Sequence, residues 1–243
     1  MKLIESIFRE YDIRGTYPSE INENSIAKIG QAIALKCIEE GVSEICVGRD
    51  GRLSGKTLLE AMCKSLSESG IAVINIGLVT SPILYYAAKK NKSKSGVMIT
   101  GSHNPKNDNG IKMVINDKPV SGTEILSLTK YVKNINNKAQ IINDTSVIDQ
   151  YISEVTHKIK LHNPNRLKVV IDCGNGAAGV VAPELFKNLG CEVINLFSEV
   201  DGNFPNHHPD PGKLDNLQDL INAVKKEDAD LGIAFDGDGD RVG

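Results

Sequence analysis

Short apolar runs alternate with longer amphipathic stretches along most of the chain. Residues 44–47 (EICV) read as a strand. Residues 56–69 follow with Leu58, Leu59, Met62, Cys63 and Leu66 at helical spacing, and Gly70 stands where a helix end favours a left-handed residue. Residues 71–77 predict a second strand, and Pro82 opens a helix that runs on through Leu84 and Ala87. Residues 96–100 (GVMIT) and 111–115 predict two more strands across a polar loop. This alternation is the rhythm of an α/β layer fold.

The rhythm resumes after a polar interval. Residues 134–145, rich in Asn and Lys, predict a connector, and 147–159 a helix. Residues 167–172 (LKVVID) predict a strand, followed by glycines and a helix of small residues that Gly190 closes. A strand at 191–197, an amphipathic helix at 214–226 and a strand at 231–236 (LGIAFD) complete the series. The expectation is two α/β units, 1–145 and 146–243.

Composition narrows the class. An apolar share of 40% and a charged share of 24% suit a globular protein and argue against disorder. A net charge of −3 lacks the basic surplus of a nucleic-acid binder. Glu5, Arg9, Glu10 and Asp12 interrupt the N-terminal stretch, so no signal peptide is expected there. No apolar run is long enough to predict a membrane span. The cysteines at 37, 46, 63, 173 and 191 are odd in number and form no CxxC, so they are expected to pack as small apolar residues in a reducing cytoplasm.

Three segments at predicted strand ends carry candidate chemistry. Asp236, Asp238 and Asp240 alternate with Gly237 and Gly239 after the last strand. Carboxylates so close repel one another unless protons or a cation intervene. The glycines let the backbone turn so that the oxygens converge, and oxygen donors suit Mg²⁺ or Ca²⁺ rather than zinc. Arg241 holds the sixth place, where an EF-hand loop needs glycine, so that reading fails; a solvated acidic turn is the plain alternative.

Residues 100–105 (TGSHNP) follow the GVMIT strand. Ser102 is a candidate nucleophile, against the plain reading of a polar turn. Gly101 directly precedes it and Asn104 takes the place of a second glycine, so this is not a hydrolase elbow. In an extended segment His103 would point away from Ser102 and could not serve it as a base. Gly174, Gly176 and Gly179 match G-x-G-x-x-G, which makes a nucleotide-cofactor enzyme a rival reading; a tight turn with close helix packing explains the same glycines. Arg9, Arg14, Arg49, Arg52, Lys112 and Arg241 sit in loops or at strand ends, where they could converge on an anion. His207 and His208 lie in a proline-bounded loop that reads as a polar turn or, more sharply, as a metal pair.

Taken together, 8–15 (FREYDIRG), 47–55 (VGRDGRLSG), 96–112 (GVMITGSHNPKNDNGIK), 168–179 (KVVIDCGNGAAG), 201–211 (DGNFPNHHPDP) and 235–242 (FDGDGDRV) resemble the α-D-phosphohexomutases of the bacterial phosphomannomutase/phosphoglucomutase type. The first and fifth of these forms point away from the phosphoglucosamine mutase branch. The resemblance implies two three-layer α/β/α domains with mixed sheets, the first two of the family's four. It implies an intramolecular phosphotransferase that interconverts hexose 1-phosphate and 6-phosphate, of mannose or glucose, through a phosphoserine and a 1,6-bisphosphate. By that resemblance Ser102 is the phosphoserine and also a metal ligand, with Asp236, Asp238 and Asp240 as the other Mg²⁺ ligands. Lys112 is similar to the family's general acid/base, His103 assists, and Tyr11, Arg14 and Arg241 line the substrate site.

The expected partners are hexose phosphates, without nucleic acid or membrane, and a monomer is expected. The family's third-domain segment that reads the sugar hydroxyls has no counterpart in these 243 residues, nor does the fourth-domain loop that grips the second phosphate. This chain is therefore expected to hold phosphoserine and Mg²⁺ with little mutase turnover alone. A non-catalytic Mg²⁺-binding fragment is the remaining alternative.

Overall fold

The computed structural model describes residues 5–131, 137–162 and 167–243. The first unit runs β1 (Ile13–Thr16), α1 (Glu23–Glu39), β2 (Glu44–Arg49), α2 (Gly55–Glu68), β3 (Ala72–Leu78), α3 (Ser81–Lys90), β4 (Gly96–Ile99) and β5 (Asp108–Ile115). It continues through β6 (Lys118–Pro119), α4 (Thr123–Ser127) and β7 (Ile141–Asn143), and α5 (Val147–Lys158) leads onward. The second unit holds β8 (Lys168–Asp172), α6 (Ala182–Asn188), β9 (Glu192–Leu196), α7 (Gln218–Glu227) and β10 (Leu231–Ala234).

The first sheet has the order β1-β5-β4-β2-β3-β7, with β6 added to β5. Its β4, β2, β3 and β7 run parallel, whereas β5 pairs antiparallel with β4 and β1, so the sheet is mixed. The second sheet, β10-β8-β9, differs from the mixed pattern expected. Its described strands pair in parallel, and the antiparallel link seen there is the isolated bridge Phe235–Val242.

Strand alternation builds the layers. Ile45 and Val47 of β2, with Val97 and Ile99 of β4, face a core shared with Ile26, Ile29 and Ile33 of α1 and Leu58, Met62 and Leu66 of α2. Cys46 and Met98, on the opposite face, pack with Ile83 and Leu84 of α3 and Val147 and Ile152 of α5. Period-two alternation thus places helices on both faces. The second unit repeats the device: Ile171 packs toward α6 with Ala182 and Phe186, and Val170 toward α7 with Leu220 and Val224.

The predicted strands and helices are present with ends shifted by a few residues; β1, β6 and α4 are additions to them, and three further differences stand out. The 17-residue helix α1 goes beyond the predicted set. Asn22 caps it by accepting at its side chain from the N–H groups of Asn24 and Ser25, while Asn22 N–H donates to Ser25 Oγ. The expected connector at 134–145 contains strand β7, which adds to β3 in parallel; its residues 134–136 lie outside the described residues. The amphipathic stretch at 214–226 divides into a 3₁₀ turn, Leu214–Leu217, and α7.

Gly70 and Gly190 end α2 and α6 with positive φ, as expected. The five cysteines are free and four are buried; burial pushes the Cys37 and Cys63 thiols up to about 12. Among the described residues no helix is long and apolar enough to cross a membrane.

Candidate active site

The carboxyl ends of the parallel strands of both units meet at one place, the usual ligand side of an open α/β sheet. Beyond β2 lie Asp50 and Arg52, beyond β3 Thr80 and Ser81, and beyond β4 the loop of Ser102. Beyond β10 comes the acidic loop, and β8 ends on Asp172.

Ser102 Oγ donates to Asp236 Oδ2 at 2.8 Å, and both residues are fully buried. Ser102 takes a left-handed backbone, φ 50°. This overturns the expectation that His103 points away. The turn is not extended, so Ser102 Oγ and His103 Nδ1 come within 3.4 Å. The same Nδ1 lies 2.7 Å from Arg241 Nη1, which donates to it. Burial, then the Arg241 charge, lowers the His103 pKa, so the ring is a neutral acceptor at that nitrogen.

The three aspartates converge, with one carboxylate oxygen from each lying within 4.8 Å of the others. Asp236 Oδ1 accepts from the N–H groups of Asp240 and Arg241, which folds the loop back on itself. Burial, then the charges of Asp238 and Asp240, push the Asp236 carboxyl up to about 7. Burial works in the same direction at Asp238, but the Lys112 charge and hydrogen bond outweigh it and lower that pKa. Lys112, projecting from β5, reaches Asp238 Oδ2 at 2.7 Å and Asp240 Oδ2 at 2.6 Å. Burial disfavours its charge, yet the two aspartates prevail and raise its pKa above the ordinary lysine value. Asp238 Oδ1 is buried and has no hydrogen-bond donor. An orphaned anionic oxygen within an all-oxygen donor set is what a hard divalent cation satisfies, so the residues present fit Mg²⁺.

Arg14 donates to Asn104 Oδ1 and pairs with Asp12, which places it against the Ser102 loop. Tyr11 is 74% exposed, and among the described residues no hydrogen bond joins it to this cluster. Its phenol pKa is raised by a hydrogen bond to Glu10 and by the charge of that residue.

Several further residues support the site in ways their spacing does not reveal. Arg52, grouped above with the cations that might meet an anion, is instead fully buried under the Ser102 loop. It donates to the carbonyls of Ser102 (2.9 Å), Asn104 (2.7 Å), Asp108 (2.7 Å) and Pro105. Asp50, also buried, accepts from Thr100 Oγ1 at 2.8 Å and Gly101 N–H at 3.1 Å, and lies 3.3 Å from Arg52 Nε. Arg49 turns to the carbonyl of Asp50. His207 and His208 are not a metal pair. His207 Nε2 lies 3.0 and 3.1 Å from the two Asp172 oxygens and its Nδ1 3.0 Å from the His208 carbonyl, while His208 Nε2 donates to the His103 carbonyl at 2.6 Å.

The geometry does not favour the glycine triplet as a nucleotide site. Gly176 N–H is bound to the Cys173 carbonyl, Ala177 N–H to Gly237 and Gly179 N–H to Gly176, so these donors are spent within the fold. A Cβ on Gly179 would overlap the Ser198 carbonyl, and one on Gly237 would press into the Ser102 carbonyl oxygen. These glycines permit close approach of backbone to backbone.

Known proteins resemble this chain along nearly its whole length. The pattern described as phosphoglucomutase/phosphomannomutase, alpha/beta/alpha domain I matches residues 5–139, and that of alpha/beta/alpha domain II matches 149–243. A phosphomannomutase/phosphoglucomutase of Pseudomonas syringae pv. tomato is 51% identical over 99% of this chain and 52% of its own length. A phosphoglucomutase of Neisseria gonorrhoeae is 46% identical over 99% of this chain and 53% of its own. The structure of a phosphoglucomutase/phosphomannomutase family protein from Burkholderia thailandensis superposes with a TM-score of 0.96 at 40% identity, covering 99% of this chain and 54% of that one. The chain thus spans about half the length of the relatives it matches. With patterns for two successive domains matched across nearly all of its residues, the chain belongs to the phosphoglucomutase/phosphomannomutase family.

Proposed function

We propose that this chain is the phosphoryl-carrying half of a phosphohexomutase that interconverts the 1-phosphate and 6-phosphate of mannose or glucose. The observation that carries the reading is Ser102 Oγ at 2.8 Å from Asp236, beside an Asp238 oxygen that is buried without a donor. A serine that is to bear a phosphate among three carboxylates calls for a cation. Asp236, Asp238 and Asp240 would hold Mg²⁺ together with an oxygen of the phosphorylated Ser102. When bound, the cation neutralises charge and polarises the phosphoryl oxygens.

The labour divides between units split near residue 145, the first bringing Ser102 and Lys112 and the second the acidic loop. Ser102 Oγ gives up its bond to phosphorus as a sugar hydroxyl oxygen forms one. It regains that bond from the other phosphate of the hexose 1,6-bisphosphate. The proton that the sugar hydroxyl loses in the first transfer ends on the freed Ser102 Oγ and returns in the second; Lys112, cationic beside Asp238 and Asp240, stabilises charge on the sugar oxygen and acts as an acid toward it, taking a proton back only after giving up its own. His103, a neutral acceptor at Nδ1, assists beside Ser102. Arg14, Arg241 and Tyr11 line the approach of the anionic substrate, so that positioning and charge compensation supply most of the rate.

The test is intact-mass analysis of the chain after incubation with glucose 1,6-bisphosphate and Mg²⁺. One phosphate is expected on the wild type, with none on Ser102→Ala and little on the wild type in chelator. Absence of uptake by the wild type, or equal uptake by Ser102→Ala, overturns the reading.

A further inference from the structure

Asp238 is tied at one oxygen and open at the other. Its Oδ2 accepts from Ser81 Oγ at 2.6 Å and from Lys112 Nζ at 2.7 Å, while its Oδ1 is buried with no donor. Ser81 belongs to the first unit, where it is the first residue of α3 and fully buried. Its N–H also donates to the Asp238 carbonyl at 2.9 Å. One residue therefore grips both the main chain and the side chain of Asp238 across the junction between the units.

Lys112 cannot hold the carboxylate in the same way. Its ammonium ends a long flexible stem, is 17% exposed and is shared with Asp240. A carboxylate turns readily about its last torsion, so a single mobile partner leaves open which oxygen faces the cluster. A short hydroxyl on a pinned backbone removes that freedom. The helix end adds to this, because the positive end of the α3 dipole favours the negative charge brought against it.

We infer that Ser81 is a positioning residue for the cation site: it fixes Asp238 through Oδ2 and leaves Oδ1 available to the metal, so that the affinity of the acidic loop depends on contact with α3. The inference rests on the reading of that loop as a divalent-cation site. Partners that orient a metal ligand are worth about 10–100-fold in affinity.

The experiment is calorimetric titration of the 243-residue chain with Mn²⁺, with circular dichroism and thermal melts on the same samples. Folded Ser81→Ala is expected to bind Mn²⁺ about 10–100-fold more weakly than the wild type. Should Ser81→Ala not fold, Ser81→Cys, which keeps the size and weakens the donor, is expected to show the same direction of change. Ile83→Val, in the same helix with a buried side chain, is expected to lower the melting temperature and keep the affinity. Wild-type affinity in the folded Ser81 variant, or an equal loss in Ile83→Val, overturns the inference while the cation site stands. No Mn²⁺ binding by the wild type overturns the cation reading and the inference with it.

Discussion

Arg52 donates to four carbonyls of the Ser102 loop from a side chain with no exposed surface, and Asp50 secures the start of the same loop. Burial lowers the guanidinium pKa and raises that of the Asp50 carboxyl, and each charge opposes the effect of burial on the other. Removing one member of a buried pair strands the other, at a cost of about 3–5 kcal/mol. Arg52→Met is therefore expected to lose about that much in urea unfolding, and Arg52→Lys to lose part of it. In both variants, phosphate uptake at Ser102 is expected to slow even where the chain is fully folded.

At this scale the sequence shows types and order but not burial. Ser102 and the three aspartates stand out as candidates by their order, a serine after one strand and alternating Asp-Gly after another, although a polar turn explains each segment alone; their convergence comes from the fold. Arg52 and Ser81 are not legible, since an arginine or serine in a loop reads the same whether it faces water or closes a core. His103 was misread for a local reason: the left-handed turn at Ser102 reverses the side-chain directions of an extended segment.

The strongest element signal is the continuous apolar run of β2 and of β4, whose successive residues enter opposite cores. It survives into the fold because a one-residue slip would exchange the two faces. Helix α1 shows the limit of pattern reading. Ile26, Ile29, Ile33 and Cys37 have the spacing, but the interior polar and small residues dilute it, and the capping box at Asn22 marks the start more sharply than the apolar stripe. Ile33 is fully buried in the core between α1 and α2. Ile33→Ala is expected to cost about 2–5 kcal/mol in denaturant unfolding. A cost below 1 kcal/mol would mean that α1 is only loosely applied to the sheet. Strand β7 escapes reading because all three of its residues are exposed, so its place comes from edge pairing with β3 rather than from burial.

The molecule as a whole is joined by contacts that cross from one unit to the other at the site. Ser81 holds Asp238, Asp236 accepts from Ser102, Lys112 bridges two aspartates, and His208 holds the His103 carbonyl. His207 braces this last contact from behind. Both of its ring nitrogens face acceptors, which requires the protonated ring. The hydrogen bond to Asp172 is the main cause of its raised pKa, with burial opposing it and the His208 carbonyl adding to it. A histidine whose folded pKa exceeds its unfolded value stabilises the fold fully below the unfolded pKa of about 6.5 and loses that contribution as pH rises through the folded pKa. In chelator, the melting temperature is therefore expected to fall by about 2–4 °C between mildly acidic and mildly alkaline buffer, for a contribution on the order of 1 kcal/mol. His207→Gln is expected to start lower and lose its share of this slope, the Asp236 carboxyl, pushed up to about 7, supplying the rest in the same direction; an unchanged slope would remove His207 as a source.

The sequence alone determined the α/β rhythm, the two-unit organisation it implies and the residue types at the strand ends, because strand and helix periodicities are local and glycine and proline mark turns wherever they stand. Only the tertiary structure decided which cation became a buried loop support, which serine reached across to an aspartate, and which carboxylate oxygen was left without a donor. Those outcomes depend on what packs against each group from a distant part of the chain. Burial and hydrogen-bond partners are properties of that meeting, and no spacing within either segment encodes them.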